Sequence, residues 1–449
     1  MSQQTRSLVD ALDTVIGRAR QAGAGAADAV GSASASTTVA VRLDAVESVE
    51  RSEDVVVGLR VLFGRRQAVA SSSDLSPKGL ETLVDRVVAM ARAAPEDPFC
   101  GLPDTDRLVD GEAPGLDLAD ADEPDADRLT EMARSAEQAA RGVAGVTNSD
   151  GATARARRSR TALVNTDGLA GIYETTEFVL SASVVAGSGT AMERDYDYAA
   201  TRHLADLDDP QTLGRNAAER AVRRLNPRKA ATATVPVVFD PRAAGSLLAH
   251  FADAVNGQTV ARGASFLNGR LGETVFAPGV TIVDDPRRVR GIRSKPFDGE
   301  GTATRTLTLV DDGRLCSWLM NAAAARQLEL ATTGHAKRRP QNPPDIAETN
   351  LYMAPGPHGP DALIADIAAG FYVTELIGMG VNGVTGDYSR GAAGFWIENG
   401  TLAYPVSEVT IAGNLADMFK ALTPASDLVF RYPANAPTLR VDGMTVAGA

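Results

Sequence analysis

Apolar residues near the start of the chain recur with a helical period. Leu8, Leu12, Val15 and Ile16 fall on one face and predict a helix from Ser7 to about Gln21. The period then shortens. Val39, Val41 and Leu43 alternate, Val55–Val57 and Leu59–Phe63 form denser β-branched runs, and Gln67–Ser71 follows a Gly64-Arg65-Arg66 turn. These segments predict an antiparallel meander. Ser76-Pro77 then supplies an N-cap and first helical position, and Leu80, Leu83, Val84, Val87 and Val88 give the next apolar stripe.

The pattern breaks between Phe99 and Asp127. Ten acidic residues against one arginine lie between Asp104 and Asp127, with Pro114 and Pro124 inside, and predict a solvated linker over residues 101–124. Helix, meander and helix then recur. A helix is expected over about Asp125–Arg141. Strands follow around Gly142–Asn148, Thr161–Asn165, Tyr173–Val185 and Ala191–Ala199, and a helix over about Pro210–Leu225. Two related α/β units, residues 1–100 and 125–228, are the expectation.

Beyond Asn226-Pro227-Arg228-Lys229 the chain turns to strands and Gly-rich turns. Val235–Phe239 reads as a strand, and Asp240-Pro241 caps a helix with Leu247, Leu248, Phe251 and Val255 inward. Further strands are expected at Val280–Val283, Thr304–Val310, Arg314–Leu319, Thr349–Met353, Gly394–Glu398 and Thr401–Tyr404, with short helices at Ala362–Ala369 and Asn414–Leu422. Asp311-Asp312-Gly313 and Asn399-Gly400 carry hairpin-turn residues. The fold class is therefore α+β: an N-terminal α/β region of two helix–meander–helix units, then a β-rich, barrel- or sandwich-like domain over 229–449.

Composition narrows the chemistry. The net charge is −12, which argues against a general nucleic-acid binder, although the linker holds most of it. Only four histidines exist, His203, His250, His335 and His358, so any imidazole site draws on these. Cys100 and Cys316 lie far apart with no CxxC, as expected of reduced thiols in a cytoplasmic protein. The first residues carry no secretory pattern, and no apolar run is long enough for a membrane span.

Most motif matches fail on context. Gly378-x-Gly380-x-x-Gly383 fits the dinucleotide string, but a strand follows where a helix N-terminus is required. His250-x-x-Asp253 offers two ligands on one helix, without a second histidine or an adjacent glutamate. His335, in Thr332–Arg338, suits either carboxylate binding or a structural role. The segment from Gly380 to Gly400 is unusual: six glycines with Asn382, Asp387, Tyr388, Ser389, Arg390 and Trp396. Such a stretch fits an edge that receives an extended peptide and equally a long hairpin closing a β domain.

Several stretches carry a resemblance. GLRVLFGRRQAVASSSDLS (58–76), GRLGETVFAPGVTIVDDP (269–286), FDGEGTATR (297–305), LCSWLMNAAAARQL (315–328), TTGHAKR (332–338) and GDYSRGAAGFWIENGTLAYPVSEVTIAGNLADMF (386–419) resemble the TldD/PmbA family, in its PmbA (TldE) branch. The resemblance implies an N-terminal α/β region and a β-rich C-terminal domain. It also implies a pair: a TldD-like zinc metallopeptidase with an HExxxH helix and a later Cys ligand, and a TldE-like partner. Together they enclose a cavity and trim unfolded peptides, including microcin precursors and antitoxins.

Counted back from Gly272-Glu273, the family's HExxxH positions fall on Leu248, Ala249 and Asp253, and no Cys stands within 427–435. The resemblance therefore implies a non-catalytic subunit with no metal of its own, zinc being held by the partner. The segment around Gly380, Asn382, Gly383, Asp387, Tyr388, Ser389, Arg390 and Trp396 is the expected peptide or subunit contact. Two alternatives stand beside this: a divergent metallopeptidase using His250, Asp253 and His335, and a stand-alone peptide-binding homodimer. Neither nucleic acid nor membrane is an expected partner.

Overall fold

The computed structural model describes residues 3–109, 115–432 and 434–448. The N-terminal half is α1 (Gln3–Gln21), β1 (Ala26–Arg42), β2 (Ala45–Phe63), β3 (Arg66–Ser72) and α2 (Pro77–Ala93). After the acidic segment come α3 (Ala126–Arg141), β4 (Val146–Asn165), β5 (Ala170–Ala186), β6 (Glu193–Thr201) and α4 (Pro210–Arg223). Helix–meander–helix thus occurs twice. The two meanders nevertheless form one sheet, ordered β3-β2-β1-β4-β5-β6, because β1 pairs antiparallel with β4 from Asp28↔Asn165 to Val41↔Ala152. The two units are halves of one layer.

Side-chain alternation sorts the faces of this sheet. Ala27, Ala29, Ala162 and Val164 pack with α1 and α2, and Val39, Val41, Ala152 and Ala154 pack with Leu129 and Leu213 of α3 and α4. All four helices therefore cover the same face. The neighbours Asp28, Val30 and Leu163 turn to the other face, where Val30 and Leu163 meet Phe297 of the C-terminal domain.

Strand lengths differ from the sequence expectation. Gly142–Asn148 and Thr161–Asn165 are not separate strands; one strand runs through both as β4, Val146–Asn165. Its middle is polar and arginine-rich, which hid it from an apolar count. Those arginines pair across the sheet: Arg155 with Glu177, and Arg158 and Arg160 with Glu174.

The acidic segment is not a solvated tether where it is described; residues 110–114 lie outside the described residues. Leu102, Leu116 and Leu118 are buried. Val109 N–H donates to Gly301 O, Arg290 N–H to Leu116 O, and Thr176 N–H to Leu118 O. The strap thus joins both domains. Its charge misled, because Asp117 and Asp120 face specific partners, Arg290 and the Leu204 N–H.

The C-terminal domain is built on a closed barrel. β7 (Ala233–Phe239) pairs parallel with 369–377 and antiparallel with 439–447. Strand 387–398 joins 369–377 to 401–414, and 401–414 pairs back onto 439–447, closing five strands. The expected strand 314–319 is a strand only at Arg314–Leu315, and two further departures follow. The alanine-rich stretch 362–369 holds only the end of a helix, Pro360–Ile364, and Ala369 already begins a strand. Strand 401–404 continues to Asn414. Both expected hairpin turns form, with positive φ at Asp312 and Gly313 (46° and 79°) and at Asn399 and Gly400 (49° and 77°).

Candidate functional site

Helix α5 (Pro241–Ala254) follows β7 and carries His250 and Asp253. Asp240 caps it, accepting the Ala243 N–H at 2.9 Å, and Pro241 stands at its first position. Leu247, Leu248 and Phe251 face the main core, where Phe251 meets Phe276 edge-on at 5.2 Å and Phe276 stacks on Phe419 at 4.3 Å. This inward stripe fixes the rotation of the helix and leaves Ala249 and Asp253 exposed.

His250 turns sideways to Tyr388 of strand 387–398, with ring centroids 6.0 Å apart and planes at 76°. Arg390 follows two residues later on the same strand face. His250 Nε2, the Tyr388 hydroxyl and Arg390 Nε are buried without a hydrogen-bond partner. Burial, and then the Arg390 charge, lowers the His250 pKa, so the imidazole is neutral at pH 7. Burial raises the Tyr388 phenol, against the pull of Arg390. Packing around the Asp253 carboxyl, and then the charge of Glu348, raises its pKa. Neutral His, neutral Tyr and an arginine with a free donor make a buried polar cluster beside α5.

The other expected residues of this segment scatter. Asn382 caps its own loop by accepting the Val384 N–H at 3.0 Å, and Asp387 accepts from Thr385 Oγ1 at 2.7 Å and Asn414 Nδ2 at 3.2 Å. Gly380 allows close approach, since a Cβ there would sit 2.1 Å from Ser389 O, while Gly383 faces open space. The Ser389 N–H donates to Gly380 O. Trp396 packs against the main core eight residues along the strand, roughly 26 Å from Tyr388. Strand 387–398 is paired on both sides within the barrel. It therefore has no free edge for a peptide, and of its two readings the closing hairpin describes the backbone.

His335 is structural. It is fully buried, with Nδ1 2.9 Å from Thr333 Oγ1 and Nε2 3.1 Å from Asp284 Oδ1. A zinc site needs three or four converging ligands. Among the described residues no group of three or more His, Cys, Asp and Glu side chains converges. His335 is held by Thr333 and Asp284, so His250, Asp253 and His335 do not come together as one ligand set. Glu348 and the buried charges around Arg338 were missed. Their separation along the chain gave no spacing signal.

A sheet with helices on one face, followed by a closed barrel with a capped helix leading from its first strand, is matched in order by three family models. PmbA/TldA metallopeptidase domain 1 matches residues 27–91, the central domain 119–225, and the C-terminal domain 232–448. The chain belongs to the PmbA/TldD family, on its PmbA/TldE side. It is 36% identical to the metalloprotease PmbA of Escherichia coli O157:H7 over 99% of this chain and 97% of that one. Identity to the PmbA homologue of Haemophilus influenzae is also 36%, over 100% and 98%. A Bacteroides thetaiotaomicron structure, described as a candidate modulator of DNA gyrase, superposes with a TM-score of 0.91 at 26% identity, covering both chains fully. TldE of Thermococcus kodakarensis shares the fold, with a TM-score of 0.87 at 20% identity over 98% of this chain and 100% of that one. No described helix is long and apolar enough to cross a membrane.

Proposed function

We propose that this chain is the non-catalytic, PmbA/TldE-type subunit of a heterodimeric peptidase. A TldD-like partner would hold the zinc, and the pair would degrade or process unfolded peptides. The observation that carries this reading is the register of α5. At the family's HExxxH positions stand Leu248, 1% exposed in the core, Ala249, with no donor atom, and Asp253. Neither imidazole ligand nor general base is supplied there.

The hairpin tip gives further support. Ile377, Met379 and Val384 are 58%, 88% and 55% exposed within eight residues, an apolar patch of the kind that marks protein contacts. Tyr388 and Arg390 of the buried polar cluster lie on the strand that leaves this tip. In this reading the hairpin meets the partner.

The test is to purify the chain alone and together with a TldD-like subunit, and to assay cleavage of an unstructured peptide. Activity is expected only for the pair, and a chelator removes it. Chelator-sensitive cleavage by this chain alone overturns the proposal.

A further inference from the structure

A cavity of about 180 Å³ lies between the N-terminal sheet and the C-terminal domain. Lys295, Lys337 and Arg338 line it together with Thr161 and Tyr173, over a floor that includes Phe297. None of these residues belongs to the buried cluster around His250. Two of the chain's distinctive stretches, 297–305 and 332–338, meet here.

Arg338 is the telling residue. Its side chain is 2% exposed, and its Nη2 donates to Asp28 Oδ1 at 2.8 Å. Its Nε and Nη1 have no partner. Buried guanidinium donors left unmade are costly, so a site that keeps two of them open is built to meet an acceptor. Lys295 Nζ gives one hydrogen bond, to Ala336 O at 3.1 Å, out of three available.

The surrounding carboxylates do not use these donors. Asp28 divides its oxygens between Arg338 and Arg60. Asp298 accepts the N–H groups of Glu300, Thr302 and Ala336, each at 2.9 Å. Glu300 accepts the Ala322 N–H at 2.9 Å. The cavity therefore keeps open donors on Arg338 and Lys295, beside Asp298, whose oxygens are taken up by backbone N–H groups.

We infer that this cavity binds a small oxyanion, through Arg338 with Lys295 and Lys337. Arginine matches the two oxygens of a carboxylate or phosphate, and the lysines add charge. The anion has two possible sources, free phosphate or the terminal carboxylate of a peptide. A second cavity, of about 330 Å³, shares Thr161, Tyr173, Lys295 and Lys337 and is also lined by Glu348.

The experiment is calorimetric titration of the full chain at constant ionic strength with sodium phosphate, sodium acetate, and a hexapeptide as its free acid and as its amide. Lys337→Gln, Lys295→Met and Arg338→Met are titrated alongside, with circular dichroism to verify folding. Lys337 is exposed, so its variant keeps the test valid even where Arg338→Met fails to fold. Saturable binding of an oxyanion probe, weakened at least tenfold in Lys337→Gln and Lys295→Met, supports the site. Preference for the acid peptide over the amide assigns the peptide carboxylate, and phosphate binding without that preference assigns a free anion. The inference is overturned by no saturable binding of any probe, or by equal binding in the folded variants.

Discussion

His335 Nε2 lies 3.1 Å from Asp284 Oδ1, and both side chains are fully buried. Thr349 completes the arrangement, donating its N–H to Asp284 Oδ2 at 2.7 Å and its hydroxyl to Oδ1. The unit ties the loop of residues 332–338 to strand 282–284 and thereby places Lys337 and Arg338 at the oxyanion cavity.

Breaking one partner of a buried pair typically costs about 3–5 kcal/mol, because the other is left uncompensated. Asp284→Asn is expected to lower stability by this order in urea unfolding. Burial alone would raise the Asp284 pKa, but the His335 and Thr349 bonds outweigh it, and the carboxyl sits below its ordinary value. A carboxylate depressed in the folded state stabilises above its unfolded pKa, and the gain is lost as pH falls through the folded one. The wild-type protein should therefore lose this contribution only below about pH 4, and Asp284→Asn should flatten that acid limb. An unchanged limb would show that the pair contributes nothing.

Glu300 works in the opposite sense. Burial raises its pKa to about 7, against the Arg60 charge and with help from Asp298. The folded chain then binds more protons than the unfolded chain between about pH 4.3 and the folded pKa, so stability falls as pH rises across that window. Glu300→Gln keeps an acceptor for the Ala322 N–H and removes the titration. The urea midpoint of the variant should vary less with pH from about 4.3 to 7 than that of the parent.

Much of this architecture is legible in residue patterns, and the exceptions have physical causes. Ser76-Pro77, Asp125, Asp240-Pro241 and Asn399-Gly400 announce caps and turns because local chemistry alone determines them. β4 escapes because its outward arginines find glutamates only across the sheet. Ala369 reads as helical, yet Gly370 must approach Pro236 of β7, where a Cβ would stand 2.9 Å from the carbonyl. Within the site, His250 and Asp253 were visible as a pair, whereas the link from His250 to Tyr388 spans 138 positions and needs the barrel. Arg338 and Asp28 are 310 residues apart, and no spacing rule reaches that far.

Glycine is required at some positions of the barrel hairpin and free at others. A Cβ on Gly394 would stand 1.9 Å from Tyr372 O, while Gly383 faces open space. Gly394→Ala should cost about 1–3 kcal/mol or more by forcing the strands apart. Gly383→Ala should stay within about 0.5 kcal/mol of the parent. Thermal unfolding of the two variants checks this, and equal midpoints would contradict the closeness of strands 369–377 and 387–398.

The exposed apolar tip decides between a partner-binding subunit and a solitary protein. Met379 is 88% exposed, with Ile377 at the end of strand 369–377 and Val384 on the loop that follows also exposed. A residue that touches so little of its own fold contributes little to folding, so Met379→Glu should leave the unfolding midpoint within error. At an interface the same change buries a charge against an apolar surface without a counter-ion, which is costly. Affinity for a TldD-like subunit is expected to fall at least tenfold, which corresponds to about 1.4 kcal/mol. Titration of a labelled partner with parent and variant, at concentrations spanning the parent dissociation constant, measures the change. Equal affinity would place the contact elsewhere on the chain, while cleavage by the mixture should fall in step with association and not below it, because the tip carries no catalytic group.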